Sequence, residues 1–149
     1  MRIVLATVVL LFAFTGAAEA KGFRGKTSQK RFATVVVGQD DLITRIRISY
    51  SAPCASDPAY RFPNVLRVEP PFTTSTTDEL DETVKLSDRL SGGGRSRQTA
   101  TVTAHRTVDA SGAESWKGTF KTKAVLTRGG KRVDTCQLKR VTWTATPTS

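Results

Sequence analysis

The chain has 149 residues, a formal net charge of +10 and only 7% aromatic residues. That is enough polypeptide for one hydrophobic core and too little for two. One His and two Cys exclude a His/Cys zinc centre of the usual kind.

The first residues predict export. Met1-Arg2 is a short positive start, Ile3 to Phe14 is almost wholly apolar, and Ala18 and Ala20 stand where a signal peptidase reads small residues. Residues 1–20 are therefore read as a cleavable signal peptide and residues 21–149 as a single secreted β domain. The apolar run is roughly a dozen residues, against about 20 for a membrane-spanning helix. No second such run follows, so no membrane span is expected after cleavage. The expected location is extracellular, with attachment to the cell envelope left open.

Two cysteines in an exported chain should pair. Cys54 and Cys136 lie 82 positions apart. Closing a loop of that length is worth about 4 kcal/mol in the chain-entropy model.

Strand signals dominate. Phe32 to Val37 is rich in β-branched residues and runs into Gly38-Gln39-Asp40-Asp41, a turn composition. Leu42 to Tyr50 alternates, with Leu42, Thr44, Ile46, Ile48 and Tyr50 on one face and Ile43, Arg45, Arg47 and Ser49 on the other. The two runs predict a hairpin that delivers Cys54 just past its end. Pro53, Pro58 and Pro63 predict a loop over 51–64. A short strand is expected over 64–68 and an edge piece over 72–75.

Residues 78–90 are ambiguous. Leu80, Val84, Leu86 and Leu90 fit alternation, whereas Thr76 with Glu79 resembles a helix capping box. A strand over 83–90 is preferred, with a helix as the alternative. Gly92-Gly93-Gly94 reads as a turn, since no phosphate-loop spacing surrounds it. Thr99 to Val108 alternates. Asp109 to Gly112 is a turn. Trp116, Gly118, Phe120, Thr122, Ala124 and Leu126 share one face of the next run. Gly129-Gly130 then turns the chain into a last strand, Arg132 to Ala145. In that strand Cys136 and Trp143 are an odd number apart, so they face opposite ways unless a bulge intervenes. Trp116 and Trp143 are expected in the core, and Tyr60 on the surface.

Seven or eight short strands with Gly, Asp and Ser turns predict an all-β fold: an antiparallel β-sandwich, or a partly open barrel, with one disulfide. Several short motifs occur in a fixed order. Phe23-x-Gly25-x-Thr27-Ser28-Gln29 opens the exported part, followed by a hairpin and a Cys. Trp116-Lys117-Gly118-Thr119-Phe120, a second hairpin, Cys136 and Val141-x-Trp143-x-Ala145 come late. In this order the chain resembles a group of small secreted β-sandwich proteins of actinobacteria. It departs from the group at Pro70-Pro71-Phe72 and Thr146, where Gly before the Phe and a basic residue are usual. The resemblance implies a β-sandwich, export and a disulfide, and implies no activity.

Charge is uneven. Residues 21–53 carry seven Lys/Arg and two Asp/Glu, residues 54–92 four and seven, and residues 93–149 eleven and three. Such a balance serves solubility, and it also attracts polyanions. Arg45 and Arg47 project from one strand, and Lys117, Lys121 and Lys123 from another, each opposite an apolar face. The expected function is accordingly non-enzymatic binding of an anionic cell-wall or other extracellular polymer. Nucleic acid is not the expected partner. The alternative is an inhibitor or interaction module for an exported protein, using the proline-rich loop after Cys54.

Catalytic signals are thin. His105 with Asp109 and one of many serines could be written as a triad, but no Gly-x-Ser-x-Gly elbow marks the nucleophile. Asp78, Glu79, Asp81 and Glu82 lack calcium-loop spacing, and a solvated acidic loop is expected. No cofactor motif is present, so none is expected.

Overall fold

The computed structural model describes residues 19–148. Residues 1–18, most of the expected signal segment, lie outside the described residues. Eight antiparallel strands form one sheet: β1 (Lys21–Thr27), β2 (Phe32–Val37), β3 (Ile43–Pro53), β4 (Arg61–Val68), β5 (Glu79–Arg89), β6 (Gly94–Val108), β7 (Glu114–Arg128) and β8 (Lys131–Pro147). Their order is β4-β3-β2-β1-β8-β7-β6-β5. Two meanders, β1–β4 and β5–β8, are thus joined where β1 pairs with β8. The sheet curls into a half-barrel whose edges are β4 and β5. Of the two expected all-β architectures, this is the partly open barrel.

The inner face holds the core. Ile46, Ile48 and Tyr50 of β3, Leu66 of β4, Val102 of β6, Phe120 of β7 and Trp143 of β8 are all buried there. Contacts cross the hollow between the two meanders. The Tyr50 and Phe120 rings lie 4.9 Å apart, and Phe23 meets Trp116 edge-on at 6.4 Å. The disulfide Cys54–Cys136 ties the end of β3 to β8 with its Cα atoms 3.9 Å apart. Among the described residues no helix is long and apolar enough to cross a membrane.

Three register shifts adjust which side chains face inward. Val36 pairs with Arg45 but Val37 with Ile43, so Thr44 is an extra residue on β3. This corrects the expected alternation: Ile43 is buried and Thr44 is exposed. A second shift, on β8, lies between Leu138 and Val141 and a third at Val133. The second brings Cys136 and Trp143 to the same face.

One further expectation is corrected. The segment 51–64 is not a continuous loop, because β3 runs on to Pro53 and β4 already starts at Arg61, with Pro63 opposite Ser51. Proline is tolerated there because β4 is an edge strand, with one side that owes no ladder hydrogen bond. In the ambiguous stretch 78–90 the preferred strand is found, not the alternative helix: β5 covers Glu79–Arg89 and so starts four residues before the expected 83. Its turn pairs it with β6 throughout, and Leu80 enters the core. The segment 21–27, given no element from sequence, is β1.

Gly118 explains its own place in the Trp-Lys-Gly-Thr-Phe segment. A Cβ there would collide with the Thr103 carbonyl oxygen and sit 2.6 Å from the Trp143 ring. The absent side chain is what lets that indole pack against the β7 backbone.

Candidate functional site

Alternation on strands β5–β8 sends apolar side chains inward and polar ones out. Ala100, Val102, Phe120 and Ala124 go to the core, while Thr99, Thr101, Lys121 and Lys123 project from the convex face. The hairpins then set their neighbours. Pairing of β5 with β6 places Lys85 beside Thr99, and pairing of β6 with β7 places Thr99 beside Lys123. In the next row Arg97 lies between Ser87 and Val125, and on the other side Thr101 lies between Thr83 and Lys121. Lys85, Arg97, Lys121 and Lys123 therefore converge from three adjacent strands, spaced by about 4.8 Å across strands and about 7 Å along them.

Two shallow grooves run between these side chains. One, of about 380 Å³, has Thr99, Thr101, Lys121 and Lys139 among its walls. The other, of about 610 Å³, has Lys85, Arg97, Lys123 and Val125 among its walls. Hydroxyl ladders floor the face. Thr83 and Thr101 are hydrogen-bonded at 3.0 Å, and Thr103 and Thr119 at 2.9 Å.

Among the described residues none of these four cations has an acidic partner within ion-pair distance. Three basic residues elsewhere do have partners. Arg106 is held by Glu114 and Asp78, Lys21 by Asp41 and Arg45 by Glu69. The Glu114 carboxylate, ahead of the Asp78 contact, raises the Arg106 pKa above its ordinary value.

The sequence-predicted basic residues fall into separate groups. Lys121 and Lys123 belong to the cluster just described. Lys117 lies farther along β7, in the row Glu79–His105–Lys117–Thr144. Arg45 and Arg47 are on β3, four strands from β7, or about 19 Å along the curled sheet. Arg47 stands in its own cationic row, in which Arg24, Thr34, Arg47 and Arg67 follow one another across β1–β4. Its guanidinium also lies 5.9 Å from the centre of the exposed Phe32 ring. Lys85 and Arg97 were missed by reading single strands. Reflecting β5 through the Gly92 turn pairs position 85 with 99, and reflecting β6 through 111 pairs 99 with 123. Both turns were legible, so the signal was present.

The acidic cluster is divided by the pleat. Glu79 and Asp81 point outward, whereas Glu82 is buried and accepts the Thr74 N–H at 2.7 Å. The outward acids sit at the end of β5 remote from Lys85. Charge on the convex face is thereby segregated, acidic toward His105 and basic toward Lys123.

His105 is exposed, with Nδ1 3.3 Å from Glu79 Oε1. Asp109 is occupied otherwise. It accepts from the Ser111 hydroxyl and the Ser111 and Ala113 N–H groups, which hold its carboxyl below the usual range. Cys54, Asp134 and Cys136 bring potential metal-ligating atoms together, but the two sulfurs are joined to each other. Asp134 is bonded to Ser56, which pins the loop after Cys54 to β8 and lowers the Asp134 pKa. Tyr60, in that loop, is 51% exposed.

No protein-family model, no curated protein and no solved structure matches this chain.

Proposed function

We propose that this is an exported, non-enzymatic domain that binds an anionic extracellular or cell-envelope polymer on the convex face of β5–β8. The observation that supports it is the convergence of Lys85, Arg97, Lys121 and Lys123 without acidic partners. Two like charges about 7 Å apart repel by about 0.6 kcal/mol in water before salt screening. Several such pairs together are a standing cost that a bound polyanion removes. The hydroxyl ladders between them suit a glycan backbone, since each hydroxyl can donate or accept. The disulfide is compatible with the oxidising compartment that export implies.

Heparin-agarose chromatography across a salt series tests this. The wild-type protein should be retained and elute with salt, because screening shortens the reach of exposed charges. Lys121→Glu with Lys123→Glu should elute at distinctly lower salt, and Arg45→Glu should change elution less. Absence of retention, or equal effects of the two variants, would overturn the assignment.

A second reading is a contact module for an exported protein. It is favoured by the loop after Cys54, which is pinned at both Cys54 and Ser56 and presents an exposed Tyr60. Co-purification from culture medium that is lost in Tyr60→Ala would replace the polymer reading with this one.

A further inference from the structure

A second cationic surface lies on the convex side of the other meander, around Phe32. Pairing of β1 with β2 sets Arg24 beside Thr34 and Lys26 beside Phe32, and pairing of β2 with β3 sets Arg47 on the far side of Thr34. All four point away from the core, which takes their strand neighbours Phe23, Ala33 and Ile48. A shallow groove of about 630 Å³ runs over this corner, with Arg24, Lys26, Lys30, Phe32, Pro147 and Thr148 among its walls. Among the described residues no carboxylate lines it. Arg47 is not one of its walls. Its guanidinium lies over the Phe32 ring, and the ring is still 41% exposed.

The charge here is uncompensated. Among the described residues Arg24, Lys26, Lys30 and Arg47 have no acidic partner, while Asp41 and Glu69 of the same meander are bound to Lys21 and Arg45. Arg47 Nε is shut off from solvent and has no hydrogen-bond acceptor.

The groove is also rigidly presented. In the turn between β1 and β2 the Thr27 N–H donates to the Arg31 carbonyl at 2.8 Å, and the N–H groups of Gln29 and Arg31 donate to the Thr27 hydroxyl. The Gln29 side chain exchanges two hydrogen bonds with the Ser51 backbone, which ties the turn to β3. Inside this fixed turn Lys30 has φ 59°, a left-handed angle that suits Gly or Asn better. Strain of this kind gathers at functional positions, and here it places a lysine in the wall of the groove.

We propose that this groove binds single-stranded nucleic acid, with a base stacked on Phe32 and neighbouring phosphates held by Arg24, Lys26 and Lys30. Every base has a face that stacks on an aromatic side chain, and a cationic groove tracks the phosphate backbone. Arginine adds a planar fork that matches phosphate and itself stacks on rings. A glycan fits less well, because Phe32 offers it no hydrogen bond, whereas the hydroxyl ladders that suit a glycan lie on β5–β7. A duplex keeps its bases inside and cannot use the ring. The expectation from sequence was against nucleic acid. Cross-strand register, which no local pattern gives, is what sets Phe32 among these cations. This site is separate from Lys121 and Lys123 and does not depend on them.

The test is fluorescence anisotropy of a labelled oligothymidylate about 12 nucleotides long, titrated with the disulfide-intact protein. Binding should saturate with a dissociation constant of about 10 μM or tighter at low salt. Phe32→Ala should weaken it about tenfold, as expected for one lost base stack. The same change should leave heparin retention and binding of the corresponding duplex as they are, which also shows that the variant is folded. Arg24→Gln should reduce the slope of log affinity against log salt by about 0.7, one phosphate contact fewer. Lys30→Asn, whose new side chain tolerates the left-handed angle, should melt no lower than wild type and still bind the oligonucleotide more weakly. Lys121→Glu with Lys123→Glu should lower heparin retention and leave the effect of Phe32→Ala intact. Absence of saturable binding, or an equal loss for duplex and single strand in Phe32→Ala, would overturn the proposal. An equal loss of heparin retention in Phe32→Ala would overturn it too, and would assign the groove to an acidic glycan.

Discussion

Cys136 and Trp143 lie seven residues apart on β8, yet both side chains enter the same interior and are almost wholly shielded from solvent. In a regular strand an odd separation puts two side chains on opposite faces. The extra residue between Leu138 and Val141 absorbs the mismatch: Phe120 pairs with Val141, and Thr122 with Leu138. The inward facing of the disulfide and that of the Trp143 indole are therefore compatible only because of one bulge.

That bulge predicts an asymmetry between two deletions. Removing Arg140 leaves Leu138 and Val141 separated by one residue, which restores regular pairing and keeps Cys136 inward. Removing Gln137 either turns Cys136 outward or brings Lys139 inward at the position of Leu138. The first variant should oxidise and fold, and the second should show thiols that alkylate in native material. Mass spectrometry after iodoacetamide treatment reads the difference, and equal labelling of both would refute the role given to the bulge.

The disulfide joins residues 82 positions apart and spans the two meanders. Replacing both Cys54 and Cys136 by Ala should destabilise the protein by about 2 to 4 kcal/mol. Urea unfolding should show a lower midpoint and a steeper slope, because the uncrosslinked unfolded chain exposes more surface. An unchanged midpoint would mean that the β1–β8 pairing alone holds the meanders together.

Gly118→Ala introduces a Cβ against the Thr103 carbonyl and the buried Trp143 ring. Overpacking of this kind costs about 1 to 3 kcal/mol, and more where backbone must move. The melting temperature should fall and tryptophan emission should shift to the red as the indole is displaced. Gly112→Ala, in an open turn at φ 83°, has no neighbour within 4 Å and should disturb only the local backbone.

Burial pushes the Tyr50 pKa up to about 12, against a partial offset from the Asn64, Thr122 and Gln98 side chains and a further rise from the Asp88 carboxylate. The phenol of the unfolded chain ionises near pH 10. Between pH 10 and 12 the unfolded state has lost this proton and the folded state has kept it, so stability falls as pH rises. The contribution is whole below pH 10 and amounts to about 2 to 3 kcal/mol lost by pH 12. Tyr50→Phe should flatten that part of the stability curve relative to wild type in parallel urea titrations. Identical slopes would show that the hydroxyl is hydrated in the folded protein.

Much of this fold was present in local patterning. Period-two alternation marks β7 over Trp116 to Leu126 with no error of facing, because a half-buried strand must segregate its side chains along its own length. The turns at 92–94, 109–112 and 129–130 were equally local, being carried by Gly and Asp. Segment 51–64 misled because proline forbids a ladder hydrogen bond only on the side where one is needed, and edge position is not a local property. The facing of Ile43 misled because a bulge arises from the partner strand's register as well as from the strand's own sequence.

The amino-acid sequence by itself determined the all-β class, the disulfide pair, the hairpins and the excess of positive charge, since each follows from neighbours in the chain or from simple counting. Only the tertiary structure decided that the strands form one curled sheet with a seam between β4 and β5. It likewise decided that polar side chains from both meanders meet behind that seam. These are relations between residues distant in sequence, set by strand order and register, and no local pattern encodes which strand a given edge will face.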